Sequence, residues 1–122
     1  MSLLSFGKSE KLKSRKAISR LFREGKSFSV YPLRVIFFMD ESEENSPMPL
    51  FSCTAPKKHF KTAVARNILK RRMREAYRLS KALLHEPNRK GRLEIMVLFV
   101  GRQMSDYKTI AEAMQKVVKK IG

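Results

Sequence analysis

Residues 62–84 set the terms for any fold this chain adopts. On a helix that turns about 100° per residue, Ala65, Leu69, Met73, Ala76, Tyr77, Ser80, Leu83 and Leu84 gather on one arc. Such an arc demands a partner surface. Asn67, Lys70, Arg71, Arg74 and Arg78 collect on another arc, with Arg66 at its edge. The spacing therefore predicts a long helix, about Thr62 to Leu84, with one side glued to a core and the other in the open. Glu86-Pro87-Asn88 stops it.

The partner surface comes from the apolar runs on either side. Leu33 to Met39 is rich in β-branched and aromatic residues and reads as a strand, with Pro32 at its start. Pro49 to Ala55 reads as a second strand, reached through an acidic, proline-bearing loop at 40–49 (Asp40, Glu41, Glu43, Glu44, then Asn45 to Pro49) and ended by Pro56. Leu93 to Val100 is nearly continuous in apolar residues and reads as a central strand. A first helix, about Ser14 to Glu24, carries Ala17, Ile18, Leu21 and Phe22 on one face. Ser14 is expected to cap it, and Gly25 to close it in a left-handed conformation. Ser105 is expected to cap a last helix whose Tyr107, Ile110, Met114, Val117 and Ile121 face the sheet. An extra short strand is possible near Phe28 to Val30. The order is α-β-β-(β)-α-β-α, an α/β two-layer sandwich with a mixed open sheet of about four strands and three helices. Residues 1–122 form one domain, and about 1–8 are read as a flexible N-terminus.

Charge narrows the function. Lys and Arg number 27 against 11 Asp and Glu, a net +16. Self-repulsion of that size opposes compaction and is relieved by a polyanion. The cations are clustered: Lys8 to Lys26 holds eight with two acids, and Lys57 to Lys81 holds ten with Glu75 alone opposing them. Arg66, Lys70, Arg74 and Arg78 climb the long helix a turn at a time, about 6 Å apart. Like charges at that spacing weaken a free helix, and a solvated face normally intersperses acids among them. Glu75, four residues after Arg71, is the lone exception. A stripe so one-sided points to phosphate binding. Arginine forks grip phosphate bidentately, and Asn67 offers both donor and acceptor to a base edge or a 2′-hydroxyl. Lys57 and Lys58 stand just before the helix, where free backbone N–H groups also favour anions. His59 reads as surface or a phosphate contact, and Phe60 as packing at the helix entry.

Other chemistries are poorly served. Four of the 11 acids sit in one loop, whereas a two-metal nuclease needs several carboxylates converging on its ions. No residue set reads as catalytic, as a metal site or as a cofactor site. A lone cysteine, Cys53, excludes an internal disulfide, agrees with a reducing cytoplasm and reads as a small core residue in a strand. The longest apolar run, Ile95 to Val100, is too short to span a membrane. No signal peptide is expected from Met1 to Phe6. A DNA-binding helix-turn-helix is disfavoured, because no short helix with a tight turn precedes the long one. A ribosomal or other structural RNA-binding protein shares the basic helix and stays open on these grounds.

Ala63-Val64-Ala65-Arg66-Asn67-Ile68-Leu69-Lys70-Arg71-Arg72-Met73-Arg74-Glu75-Ala76-Tyr77 resembles the signature helix of the bacterial ribonuclease P protein component. Arg66, Asn67, Lys70, Arg71 and Arg74 match the signature. Ile68 replaces the second arginine of its Arg-Asn-Arg triplet, and Arg72 stands where an apolar residue is common. Cys53-Thr54-Ala55-Pro56-Lys57-Lys58 is similar to the strand end and paired lysines before that helix. Leu12-Lys13-Ser14-Arg15 through Gly25 is similar to the family's first helix. The resemblance implies a left-handed β-α-β crossover, a rare connection. It further implies a cytoplasmic protein subunit of the endonuclease that removes the 5′ leader from precursor tRNA. A catalytic RNA subunit would then perform the hydrolysis with magnesium, and Lys57, Lys58, Arg66, Asn67, Lys70, Arg71, Arg74 and Arg78 would hold that RNA. The leader would lie in a cleft between the first helix and the sheet, for which Ile18, Phe22, Arg34 and Ile36 are the candidates. From residue type alone Ile18 is favoured as core, and for Phe22 the resemblance balances core against cleft.

Overall fold

The computed structural model describes residues 12, 15–41, 48–86 and 91–121. Its elements are α1 (Arg15–Glu24), β1 (Lys26–Val30), β2 (Leu33–Asp40), β3 (Leu50–Thr54), α2 (Ala63–Ser80), a 3₁₀ turn (Lys81–Leu84), β4 (Arg92–Phe99) and α3 (Tyr107–Ile121). The possible short strand is real: it is β1, preceding β2. Ser14, residues 1–8, the centre of the acidic loop and Pro87-Asn88 lie outside the described residues.

The sheet order is β1-β2-β4-β3. β1 and β2 form an antiparallel hairpin, with Val30 opposite Leu33. β2 runs antiparallel to β4 along eight residue pairs, from Leu33–Phe99 to Asp40–Arg92. β3 runs parallel to β4 from Leu50–Glu94 to Thr54–Leu98. The strand at 49–55 therefore lies beside β4 and not beside β2. β4 takes that place, and α2 is the crossover between the parallel neighbours β3 and β4, the connection that parallel pairing requires.

Period-two alternation divides the sheet into two faces. Leu33, Val35, Phe51, Ile95, Val97 and Phe99 meet Leu69, Met73, Ala76 and Tyr77 of α2 and Ile110, Met114 and Val117 of α3 in the main core. The opposite face carries a smaller cluster in which Leu12, Ala17 and Leu21 pack on Ile36 and Met96. Thus α2 and α3 build a two-layer body with the sheet, and α1 lies against the sheet's other side. The Leu12 N–H donates to the Phe51 carbonyl at 2.9 Å and so covers part of the β3 edge.

Several local expectations are corrected. Gly25 closes α1, its N–H bonding the Leu21 carbonyl at 2.8 Å, but it does not adopt a positive φ. It is needed for close approach: a Cβ there would strike the Leu21 carbonyl and sit 2.9 Å from both Ile36 Cγ2 and the Phe37 carbonyl. Gly91, opening β4 at φ +91°, is the left-handed glycine. The long helix begins as expected, with Thr62 Oγ1 accepting from the Ala65 N–H at 3.2 Å. It tightens at Lys81 into three residues per turn, and this phase shift turns Lys81 and Leu84 inward and leaves Leu83 exposed rather than on the core face. Asp106, not Ser105, caps α3, its Oδ1 accepting from the Thr109 N–H at 2.9 Å. Asp40, grouped with the loop acids by sequence, is the buried last residue of β2.

Candidate nucleic-acid interface

α2 presents its polar side because its apolar side is fully committed. Leu69 and Met73 are wholly buried, and Tyr77 stacks on Phe51 of β3. That seating leaves Asn67, Arg71 and Arg74 exposed and Arg66, Lys70 and Arg78 half-exposed along the helix. Lys57, Lys58 and His59 are exposed in the turn that leads into it. Among the described residues, Lys57, Lys58, Arg71 and Arg74 have no acidic partner within ion-pair distance.

Three other cations of the helix have internal duties. Arg66 donates from Nη1 to the Phe60 carbonyl at 2.6 Å and fastens the entry turn. Phe60 is buried as expected, its ring meeting that of Phe99 edge-on at 5.6 Å. Arg72 donates from Nη1 to the Ser105 carbonyl at 2.5 Å, tying α2 to the start of α3. Glu75 is engaged by Arg78 at 2.5 Å rather than by Arg71. Their hydrogen bond holds the Glu75 carboxyl below the usual carboxylate range and raises Arg78. Arg78 thus keeps its place in the arc but shares its charge with a neighbour.

Cys53 records where the stripe passes the sheet. The half-buried thiol donates to the Lys70 carbonyl at 3.7 Å. Burial pushes its pKa to about 11, against the opposing pull of Arg74 and Lys70. The Lys70–Arg74 edge of the stripe therefore lies beside β3.

Across the sheet, the residues expected to form a cleft separate by exposure. Phe22 is 51% exposed, whereas Ile36 is a floor residue under α1 at 7%. Ile18 is half-buried against the smaller cluster, and Arg34 is exposed on the β2 face that also carries Ile36 and Phe38. Where β3 and β4 end, Thr54, Pro56, Leu98 and Val100 line an apolar depression of about 320 Å³ with Lys58 and His59 on its rim.

Sequence reasoning missed a charge network behind α1. Glu94 is fully buried near the start of β4, and Asp40 is 4% exposed. Arg20 reaches from α1 to Asp40 at 2.8 Å and Glu94 at 3.2 Å, and Arg92 binds Glu94 at 2.8 Å. The Arg20 guanidinium also lies 5.1 Å from the centre of the Phe38 ring. The signal available in the sequence was a lone glutamate in an otherwise apolar strand, a position that a buried charge can hold only with a partner.

The profile of the Ribonuclease P family matches residues 6–122. The chain is 40% identical over 117 residues to the "Ribonuclease P protein component" of Porphyromonas gingivalis, covering 94% of this chain and 85% of that one. It is 32% identical over 125 residues to the protein of the same name from Dictyoglomus turgidum, covering 100% and 97%. Among solved structures it resembles the RNase P protein from Thermotoga maritima, with a TM-score of 0.73, 25% identity and coverage of 93% and 98%. The Staphylococcus aureus RNase P protein matches with a TM-score of 0.72 and 19% identity over 93% and 96%.

Proposed function

This chain belongs to the ribonuclease P protein family and acts as a subunit of that ribonucleoprotein, and we propose that it holds the catalytic RNA along α2 while the 5′ leader of precursor tRNA lies on the α1 side of the sheet. The observation that carries this reading is the one-sided cationic face of α2, with Arg71, Arg74, Lys57 and Lys58 turned to solvent and free of acidic partners among the described residues.

Each residue's placement supports a part for it in this reading. Arg71 and Arg74 fork onto phosphate, Asn67 reads a base edge or a 2′-hydroxyl, and Lys70 supplies charge beside β3. Lys57 and Lys58 extend the contact past the helix entry. Arg66 and Arg78, partly occupied within the protein, shape the track and add to its field. On the leader side, Phe22 stacks on a base and Arg34 meets phosphate, with Ile18 and Ile36 beneath them. The apolar depression rimmed by Lys58 suits a base next to a phosphate, the usual pairing in single-strand binding.

Hydrolysis falls to the RNA subunit and its magnesium ions. This protein's described residues do not fit a magnesium site: they form no cluster of three or more His, Cys, Asp or Glu, and the buried pair Asp40 and Glu94 is engaged by arginines. No helix among them is long and apolar enough to cross a membrane, and we assign the protein to the cytoplasm, where precursor tRNA is made.

The purified chain alone is expected to leave precursor tRNA intact, and addition of the matching catalytic RNA to restore leader removal at low magnesium. Robust cleavage by the protein without RNA would overturn the assignment.

A further inference from the structure

The outer flank of α1 carries a second concentration of charge that neither the α2 stripe nor the leader cleft uses. Arg15, Lys16, Ser19, Arg20 and Arg23 line a shallow depression of about 570 Å³ between α1 and the start of β4, where Arg92 completes it. Among the described residues no carboxylate lines it. Arg15, Lys16 and Arg23 are exposed, and among the described residues none has an acidic partner. Arg20 and Arg92 form a fixed floor, because Asp40 and Glu94 hold them from below. The cations outnumber those two buried acids, so the surface remains positive. Successive residues of α1 turn by about 100°, which puts Arg20, Arg23 and Lys16 around the helix from Ile18 and Phe22.

We propose that this flank is a second RNA-phosphate site, in which Arg15, Lys16, Arg23 and the Ser19 hydroxyl grip the backbone over the Arg20–Arg92 floor. The inference rests on the reading of the chain as an RNA-binding subunit and adds to it a bridge: α1 and α2 lie on opposite faces of the sheet, so one molecule joins two RNA segments. RNA suits the site better than an anionic membrane does. A membrane-surface helix must point its apolar side outward, and α1 has spent Ala17 and Leu21 on the sheet.

The test uses the full chain and compares three variants. One is R15Q/K16Q/R23Q on α1, one is R71Q/R74Q on α2, and the third is K108Q/K116Q/K119Q on α3 as a charge-matched control. Affinity for the reconstituting catalytic RNA with bound precursor tRNA is measured across a salt series. Each lost phosphate contact lowers the slope of log K against log salt by roughly 0.7 to 0.9. The α1 variant is expected to lose about two units of slope and the control less than half a unit. An unchanged slope in the α1 variant, or an equal loss in the control, would overturn the inference. So would loss of binding to phosphatidylglycerol vesicles with RNA binding intact. The α2 variant reports on the earlier proposal separately, because an unchanged slope there defeats the α2 reading whatever α1 does.

Discussion

The Tyr77 ring lies flat on Phe51, with centroids 3.9 Å apart and planes 7° from parallel. Both residues are buried, one on α2 and the other on β3. The stack fixes the rotation of α2 about its own axis, so a purely apolar contact decides which side chains of the helix reach solvent. Phe51→Ala is expected to cost about 3–5 kcal/mol, the usual range for emptying a core aromatic site, read as a lowered urea midpoint. A cost below about 1 kcal/mol would mean that other contacts set the helix.

Arg74→Ala should weaken RNA affinity and leave the folding free energy from urea denaturation within about 0.5 kcal/mol, as expected for an exposed side chain. Lys70→Ala should do the same to affinity. If about six phosphates are engaged by the wild-type chain, log K should fall against log salt with a slope of roughly −4 to −5, and each variant should lower its magnitude by somewhat less than one. A flat salt response would remove the electrostatic basis of the interface.

Glu75→Gln should tighten RNA binding. The carboxylate now holds Arg78 at 2.5 Å, and its removal takes a negative charge out of the cationic stripe. The salt slope should steepen by just under one unit, and Arg78→Ala in the same background should abolish the gain. No change in either variant would show that Arg78 lies off the RNA track.

Cys53 predicts an alkaline loss of stability. Its pKa in the fold is raised from 9.0 to about 11 by burial. A raised folded-state pKa stabilises the fold while the thiol is protonated in both states, and the benefit is lost as pH climbs from about 9 to 11. The full loss is roughly 2–3 kcal/mol. Cys53→Ala should flatten this part of the pH–stability curve, and alkylation of the native thiol at neutral pH should be slow.

Arg20→Met should destabilise the fold by about 3 kcal/mol, since it leaves the buried Asp40 carboxylate without that cation and Glu94 with Arg92 as its ion-pair partner. Chemical denaturation gives the value. A neutral result would show that the network does not pin α1 to the sheet.

The parts legible in the sequence were those that rest on local periodicity. The seating of α2, the burial of Phe60 and the apolar faces of α1 and α3 all follow from residues within a few turns of one another. The parts not legible depend on distant partners. Nothing near Glu94 announces Arg20, 74 positions away, so a buried glutamate passed as a blemish in an apolar strand. The partner of β3 could not be read from its neighbours in the chain, because parallel pairing with β4 forms only after α2 crosses over. Gly25 was given the right role for the wrong reason, since crowding by Ile36 and Phe37 cannot be read from a helix end. Ser105 and Asp106 are both good caps, and their neighbours decide between them: Arg72 takes the Ser105 carbonyl, and Asp106 receives Thr109.

The position of β4 bears on how the molecule comes into being. The strand at the middle of the sheet is the last one the ribosome makes, so the hairpin of β1 and β2 waits with an open, apolar flank until residue 99 has emerged. A nascent chain arrested before then has neither layer of its core closed. Assembly is consequently a late, all-or-none event dominated by distant pairings, slow by the rule that links topology to folding speed. Truncation anywhere ahead of β4 should yield an aggregating fragment rather than a smaller working domain.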